Sequence, residues 1–168
     1  MPKKESDKHK QKKIPSEFKF LKALGNFLII TVLIIGVSAY FLENEEMIGI
    51  TFIFIGFITL GLIKLAKISF RAVYPDIIFG AIDNGVLIFA AVLGGRLGGI
   101  PGAIIGGAAG NTITDGIGGL FEGNIAEHQK EYKIDNMRTA LSSSLGKMAG
   151  CLFGAGAGLL LTWMISLL

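Results

Sequence analysis

The chain has 168 residues, of which 51% are hydrophobic and 17% charged, with 24 glycines, a mean hydropathy of +0.60 and a net charge of +3. A water-soluble domain carries about 25% charged residues, so this composition excludes a disordered regulator and points away from a soluble enzyme, while a single cysteine, Cys151, excludes an intrachain disulfide scaffold. What remains is an integral membrane protein.

The charge is uneven: residues 1–22 hold eight lysines against Glu5, Asp7 and Glu17, and the remainder holds eight basic and ten acidic residues. Residues 1–19 read as a solvated, lysine-rich cytoplasmic tail that orients the first span and touches anionic lipid headgroups. A nucleic-acid arm is the weaker reading, and no nucleic-acid partner is expected. Ala23 to Leu42 is free of charge over 20 residues, roughly 30 Å as a helix and so the thickness of a hydrocarbon core. A signal peptide competes, because Val37-Ser38-Ala39 resembles a cleavage site, but the apolar run exceeds a signal core. A short acidic turn, Glu43 to Glu46, leads into a second uncharged run, Met47 to Ile63, closed by Lys64, Lys67 and Arg71. Residues 20–66 are therefore expected to form a transmembrane hairpin whose work is packing.

The third segment is expected from Pro75, a residue suited to a first helical position, to about Gly95, with Asp83 and Asn84 near its middle. A glycine-rich loop, Arg96 to Pro101, separates it from a fourth segment reaching about Phe121. That segment carries Asn111 and Asp115 and continues as a polar helix into Glu122 to Tyr132. The fifth, Met148 to Leu168, is uncharged, with Ser142, Ser143 and Ser144 as candidate caps or as hydroxyls lining an ion path. Residues 75–168 thus form a three-helix core. Loop charge orients the whole. The tail, Lys64, Lys67, Arg71, Lys130, Lys133, Arg138 and Lys147 fall on one side; Glu43, Glu45, Glu46 and the lone Arg96 fall on the other. The fold expected is all-α, with five transmembrane helices, N-terminus inside and C-terminus outside, in the cytoplasmic membrane. Tyr40, Tyr74 and Trp163 lie near the expected helix ends, where interfacial aromatics belong.

Gly94, Gly98, Gly102, Gly106 and Gly110 recur every fourth residue through the fourth segment and the turn before it, and Gly146, Gly150, Gly154 and Gly158 do so in the fifth. Glycine stripes let helix backbones approach closely in lipid. They predict tight packing of helices four and five, against each other or against a second subunit.

An aspartate at the centre of a membrane helix costs about 2.5–3.5 kcal/mol on insertion scales, and the chain accepts that cost at Asp83 and at Asp115. Asn111 and Asp115 share a face at i, i+4; Glu122 continues it, and Thr112 and Thr114 add hydroxyls. Carboxylate and amide oxygens without histidine or thiolate are hard ligands, suited to Ca²⁺, Mg²⁺, Mn²⁺ or Na⁺. Asp83, Asn84, Asn111, Asp115 and Glu122 are accordingly the candidate cation-handling residues. The competing reading is that the aspartates are interhelical glue. Lys147 is the nearest basic candidate partner. His9 and His128 lie in solvated segments, and no nucleophile–base pair or nucleotide loop is visible, so no enzyme is expected.

Phe79 to Asn84 (FGAIDN), Gly110 to Gly116 (GNTITDG) and Leu141 to Gly150 (LSSSLGKMAG) recur in this order in the transmembrane protein 65 family. Over about residues 78–160 the chain resembles that family, known from the mitochondrial inner membrane and from microbial relatives. The resemblance implies cation transport, since the animal member is associated with sodium-dependent calcium export. It assigns ion handling to Asp83, Asn84, Asn111 and Asp115. Glu122 stands where the family pattern has a small residue, and the acidic residue after the fourth helix is displaced by one, to Glu127. The first two helices and the tail have no counterpart in the resemblance.

The function expected is a secondary exchanger moving a divalent cation, Ca²⁺ first, Mg²⁺ or Mn²⁺ otherwise, against Na⁺ or H⁺. No cofactor is expected beyond the transported cations. A passive cation channel and a non-transporting scaffold are the alternatives. Partners are membrane lipid, the cations and a second copy of the chain, because three helices are too few to enclose an alternating path and a C2 dimer brings two sites to one axis.

Overall fold

The computed structural model describes residues 16–40, 45–131 and 139–166. The expectations for the first 15 residues, for Glu43 and Asn44, and for Lys133 and Arg138 lie outside these. Helices account for nearly all of the described residues: α1 (Ser16–Tyr40), α2 (Glu45–Leu65), α3 (Phe70–Glu131) and α4 (Ala140–Ser166), with no strand among them.

Three helices are long and apolar enough to cross a membrane: α2 over Ile48–Leu65, α3 over Phe70–Gly118 and α4 over Ala140–Ile165. The apolar part of α1, Leu24–Tyr40, is shorter. Large apolar side chains point outward, with Leu97 84%, Ile100 79% and Leu120 77% exposed, whereas the largest fully buried side chains are only Val73, Thr59 and Ser142. So much large apolar surface on the outside is what lipid, not water, accommodates.

The ends of the helices follow local chemistry. The end of α2 is a Schellman motif: Ile68 N–H donates to Ile63 O (3.1 Å) and Lys67 N–H to Lys64 O (3.0 Å), with Lys67 in the left-handed region at φ 55°. Ile68 packs against the buried apolar cluster that includes Ile63. α4 opens on a reciprocal cap. Ser142 N–H donates to Thr139 Oγ1 (3.1 Å), and Thr139 N–H donates to Ser142 Oγ (2.8 Å). Of the three serines expected as caps only Ser142 serves as one. α3 starts at Phe70, earlier than Pro75, so the proline lies inside the helix and not at its first position. Its missing N–H falls where the carbonyl of Arg71 would have received it, close enough to the helix start to be tolerated.

α3 is two arms. The backbone leaves the helix at Gly98 (φ −137°, ψ 17°) and Gly99 (φ 62°, ψ −148°), and the chain folds back on itself there, within the expected Arg96–Pro101 loop. Only glycine adopts the Gly99 conformation without strain. Gly99→Ala should cost about 1–3 kcal/mol, read as a lower unfolding midpoint in detergent, whereas Gly98→Ala at negative φ should cost less.

The arms run antiparallel and almost touch. A Cβ on Gly94 would overlap the Gly102 carbonyl, one on Gly106 the Ala90 carbonyl, and one on Gly118 the Phe79 ring. α4 lies parallel to the first arm, residues 70–97. Gly150 and Gly154 meet the carbonyls of Ile77 and Ala81, and Gly146 meets Val73 and Asp76. Both glycine stripes therefore dock on the third helix of the sequence expectation, not on each other. Gly98 leaves the stripe, with nothing near its Cβ position. α2 runs antiparallel to α4 through Gly49 on Gly156 and Leu160, and through Phe153 on Gly56, the Phe153 ring standing edge-on to Phe57 at 5.1 Å. α1 joins through an apolar cluster of Ile30, Ile63, Val73 and Leu145. Lys64, Arg71 and the start of α4 consequently share one end of the bundle, and Arg96 lies at the other, beside Thr162 and Ile165.

Candidate cation site in the hairpin

The close approach of the arms fixes what faces what. With Phe79 against Gly118 and Ala90 against Gly106, the residue opposite Asp83 is Thr114. Thr114 Oγ–H donates to Asp83 Oδ1. Both are buried, Asp83 at 7% and Thr114 at 3% exposure. The same hydroxyl oxygen stands 3.1 Å from the carbonyl oxygens of Gly110 and of Asn111. A carboxylate, a hydroxyl and two backbone carbonyls thus converge where glycine has removed the side chains that would separate the arms; a Cβ on Gly110 would sit 2.9 Å from the Ala90 methyl. The hydroxyl proton serves one acceptor at a time; the two carbonyls, i−4 and i−3 to Thr114, also take the helix's own N–H bonds, which leaves the Asp83 carboxylate and the Thr114 oxygen as the oxygens open to a ligand. That donor set suits a hard cation.

The other candidate residues occupy separate settings. Asn84, one position on and so turned about 100° around the helix, faces α4 and donates Nδ2–H to Cys151 O at 3.2 Å. Asn111 Nδ2–H donates to Asp115 Oδ2 at 2.9 Å, as the i, i+4 spacing requires, but the pair lies on the outer face of the second arm with Asp115 exposed. Asp83 and Asp115 therefore do not share a pocket in this chain. Glu122 lies in the continuing helix of the second arm, and its side chain is outside the described residues. Among the described residues no three His, Cys, Asp or Glu side chains gather into a metal-binding group.

The sequence names Thr114 as a nearby hydroxyl but not its pairing, and Asp76 is not singled out at all. Thr114 joins Asp83 to the second arm, and it takes the place of the next glycine in the stripe after Gly110. Asp76 is buried at 3% and accepts a hydrogen bond from Ser143 Oγ at 3.1 Å. It lies seven residues before Asp83, two helical turns along the same face. Lys147 on α4 holds its Nζ 4.5 Å from the centroid of the Phe79 ring. Comparison with family models, curated proteins and solved structures finds no match to this chain.

Proposed function

We propose that the protein is a multi-pass transporter of the cytoplasmic membrane, a secondary exchanger moving a divalent cation, Ca²⁺ first, against Na⁺ or H⁺. The observation that carries this reading is the buried Asp83 carboxylate held by the Thr114 hydroxyl between the two arms of the hairpin. Ionisable groups inside membrane helices mark ion or proton pathways by default, and the resemblance of residues 78–160 to a cation-exporting family points the same way. The chain crosses five times, counting α1 and the two arms of α3 separately.

The exchanger works as a C2 dimer. Asp115 is exposed on a helix of a membrane span, and carboxylates at such positions face a bundle interior or a water-filled cavity. A second copy on the Asn111–Asp115 face provides that enclosure and brings the two hairpins to one axis. The glycines of α4 are already occupied within the protomer and play no part in this contact.

The test is flux into vesicles reconstituted with purified protein, comparing Ca²⁺, Mg²⁺ and Mn²⁺ with and without a Na⁺ gradient. Saturable, gradient-driven uptake is expected; flux that does not saturate indicates a channel, and no flux of any cation leaves a scaffold. Topology has its own check. In a Cys151→Ala background, Glu45→Cys and Arg96→Cys should react with a membrane-impermeant maleimide from outside only. Reaction from the cytoplasm alone overturns the orientation.

A further inference from the structure

We propose that Lys147 is the internal counter-ion of Asp83, a tethered ammonium that neutralises the carboxylate whenever no mobile cation is bound. The inference rests on the cation-site reading above and adds to it what balances the charge of the empty site.

Asp83 is buried and is held by a neutral hydroxyl; among the described residues no basic side chain pairs with it. Lys147 is the basic group placed to do so. Its ammonium rests on Phe79 at 4.5 Å, and Phe79 precedes Asp83 by one turn on the same helix face. Both residues pack on the second arm, Phe79 over Gly118 and Asp83 on Thr114. The root of the side chain is fixed at the right height, because α4 presses Lys147 against Gly80: a Cβ there would lie 2.6 Å from the Lys147 carbonyl oxygen. The cavity of about 330 Å³ that Lys147 lines with Asn84, Ser144, Met148 and Cys151 lies on the Asn84 side of the helix, so the path from Phe79 to Asp83 runs along the first arm and not through that cavity. A lysine has a flexible four-carbon stem, and the swing needed is one helical turn, about 5.4 Å.

The aromatic face attracts an ammonium through its quadrupole, and a carboxylate in the same low-dielectric surroundings attracts it more strongly. Phe79 is then the resting place of the ammonium while a mobile cation occupies Asp83, and Asp83 is its place when that cation leaves. Cargo and lysine compete for one carboxylate, so the site never stands as a bare buried charge. Competition lowers apparent affinity and makes release possible.

Thermal unfolding of the full-length protein in detergent, in sodium-free buffer with chelator, tests the pair through a double-mutant cycle. Lys147→Met, which keeps length and apolar stem, should lower the unfolding midpoint in the wild-type background and have little effect in an Asp83→Asn background. Lys147→Arg should behave as wild type. Titration with CaCl₂ or NaCl should restore the midpoint of Lys147→Met, with half-saturation about tenfold below wild type once the competing state is removed. Additive effects of Lys147→Met and Asp83→Asn, or an unchanged half-saturation, would overturn the proposal. Coupling in the cycle together with no cation flux in vesicles has a different meaning: the internal pair stands and the exchanger reading falls.

Discussion

Asp83→Asn should abolish coupled flux while the protein still assembles. The amide keeps the size of the carboxylate and an oxygen to accept the Thr114 hydroxyl, so the hairpin stays closed. What disappears is the negative charge that offsets desolvation of the cation. Removing one partner of a buried charge pair costs about 3–5 kcal/mol, and each 1.4 kcal/mol is a factor of ten, so initial flux should fall at least about 100-fold. Asp115→Asn retains the bond from Asn111 in the same way and should also lose coupled flux if the proposed second copy encloses that carboxylate in the transport path. Asn111→Ala and Asn84→Ala remove neutral groups and should weaken apparent ion affinity less; Asn84→Ala should in addition loosen α4, whose Cys151 carbonyl it holds. Glue predicts the reverse order, since an amide joins helices as well as a carboxylate does. Normal gradient-driven flux in the double variant Asp83→Asn/Asp115→Asn would remove both aspartates from the transport path.

The second large effect belongs to the glycines. A methyl group at Gly150 overlaps the Ile77 carbonyl and one at Gly154 overlaps the Ala81 carbonyl. The obstacle in each case is backbone, which cannot rotate away. Overpacking a tight interior costs about 1–3 kcal/mol and occasionally more, and Gly150→Ala and Gly154→Ala belong at the upper end. Gly36→Ala and Gly116→Ala meet nothing within 4 Å and should be neutral or gain about 0.5–1 kcal/mol of helix stability. Four alanine variants melted side by side in one detergent separate these groups. If Gly150→Ala unfolds with wild type, α4 does not lie on the first arm in the register described. Gly154→Leu, by the same geometry, breaks the protomer itself, so its effect on a dimer is secondary.

How much of this was legible in the sequence differs by residue type. Long apolar stretches and loop charge marked where α2, the arms of α3 and α4 lie. The stripes marked that something approaches closely, but a stripe carries no information about its partner. Gly150 and Gly154 dock on Ile77 and Ala81, and what those residues offer is a carbonyl oxygen, which every residue has. The place of Asp83 midway along the first arm was legible from its distance to the segment ends. Its partner was not, because pairing 83 with 114 depends on where the hairpin turns, and a glycine-rich loop six residues long leaves the turn free to shift. Asp83 and Asn84 could not both face one site, since neighbours on a helix diverge by about 100°. That constraint was available from the sequence and separates them as the structure does. Asp76 was not singled out, because Pro75 suggested a first helical position where the helix has already run from Phe70 and Asp76 is buried.

Where backbone lies on backbone, as along Gly146, Gly150 and Gly154 or along Gly94, Gly102 and Gly106, the two surfaces are smooth. No ridge of side chains drops into a groove, so little opposes sliding along the axis. Position along that axis must be held by other means. The Phe79 ring over Gly118 is one such stop. Ile88 on Gly158 and Phe153 on Gly56 are others, and three are polar: Thr114 on Asp83, Asn84 on the Cys151 carbonyl and Ser143 on Asp76. Some of the detents of this bundle are therefore the same side chains that carry its buried charge. Anything that changes the charge of Asp83 also changes how firmly one helix is indexed against the next.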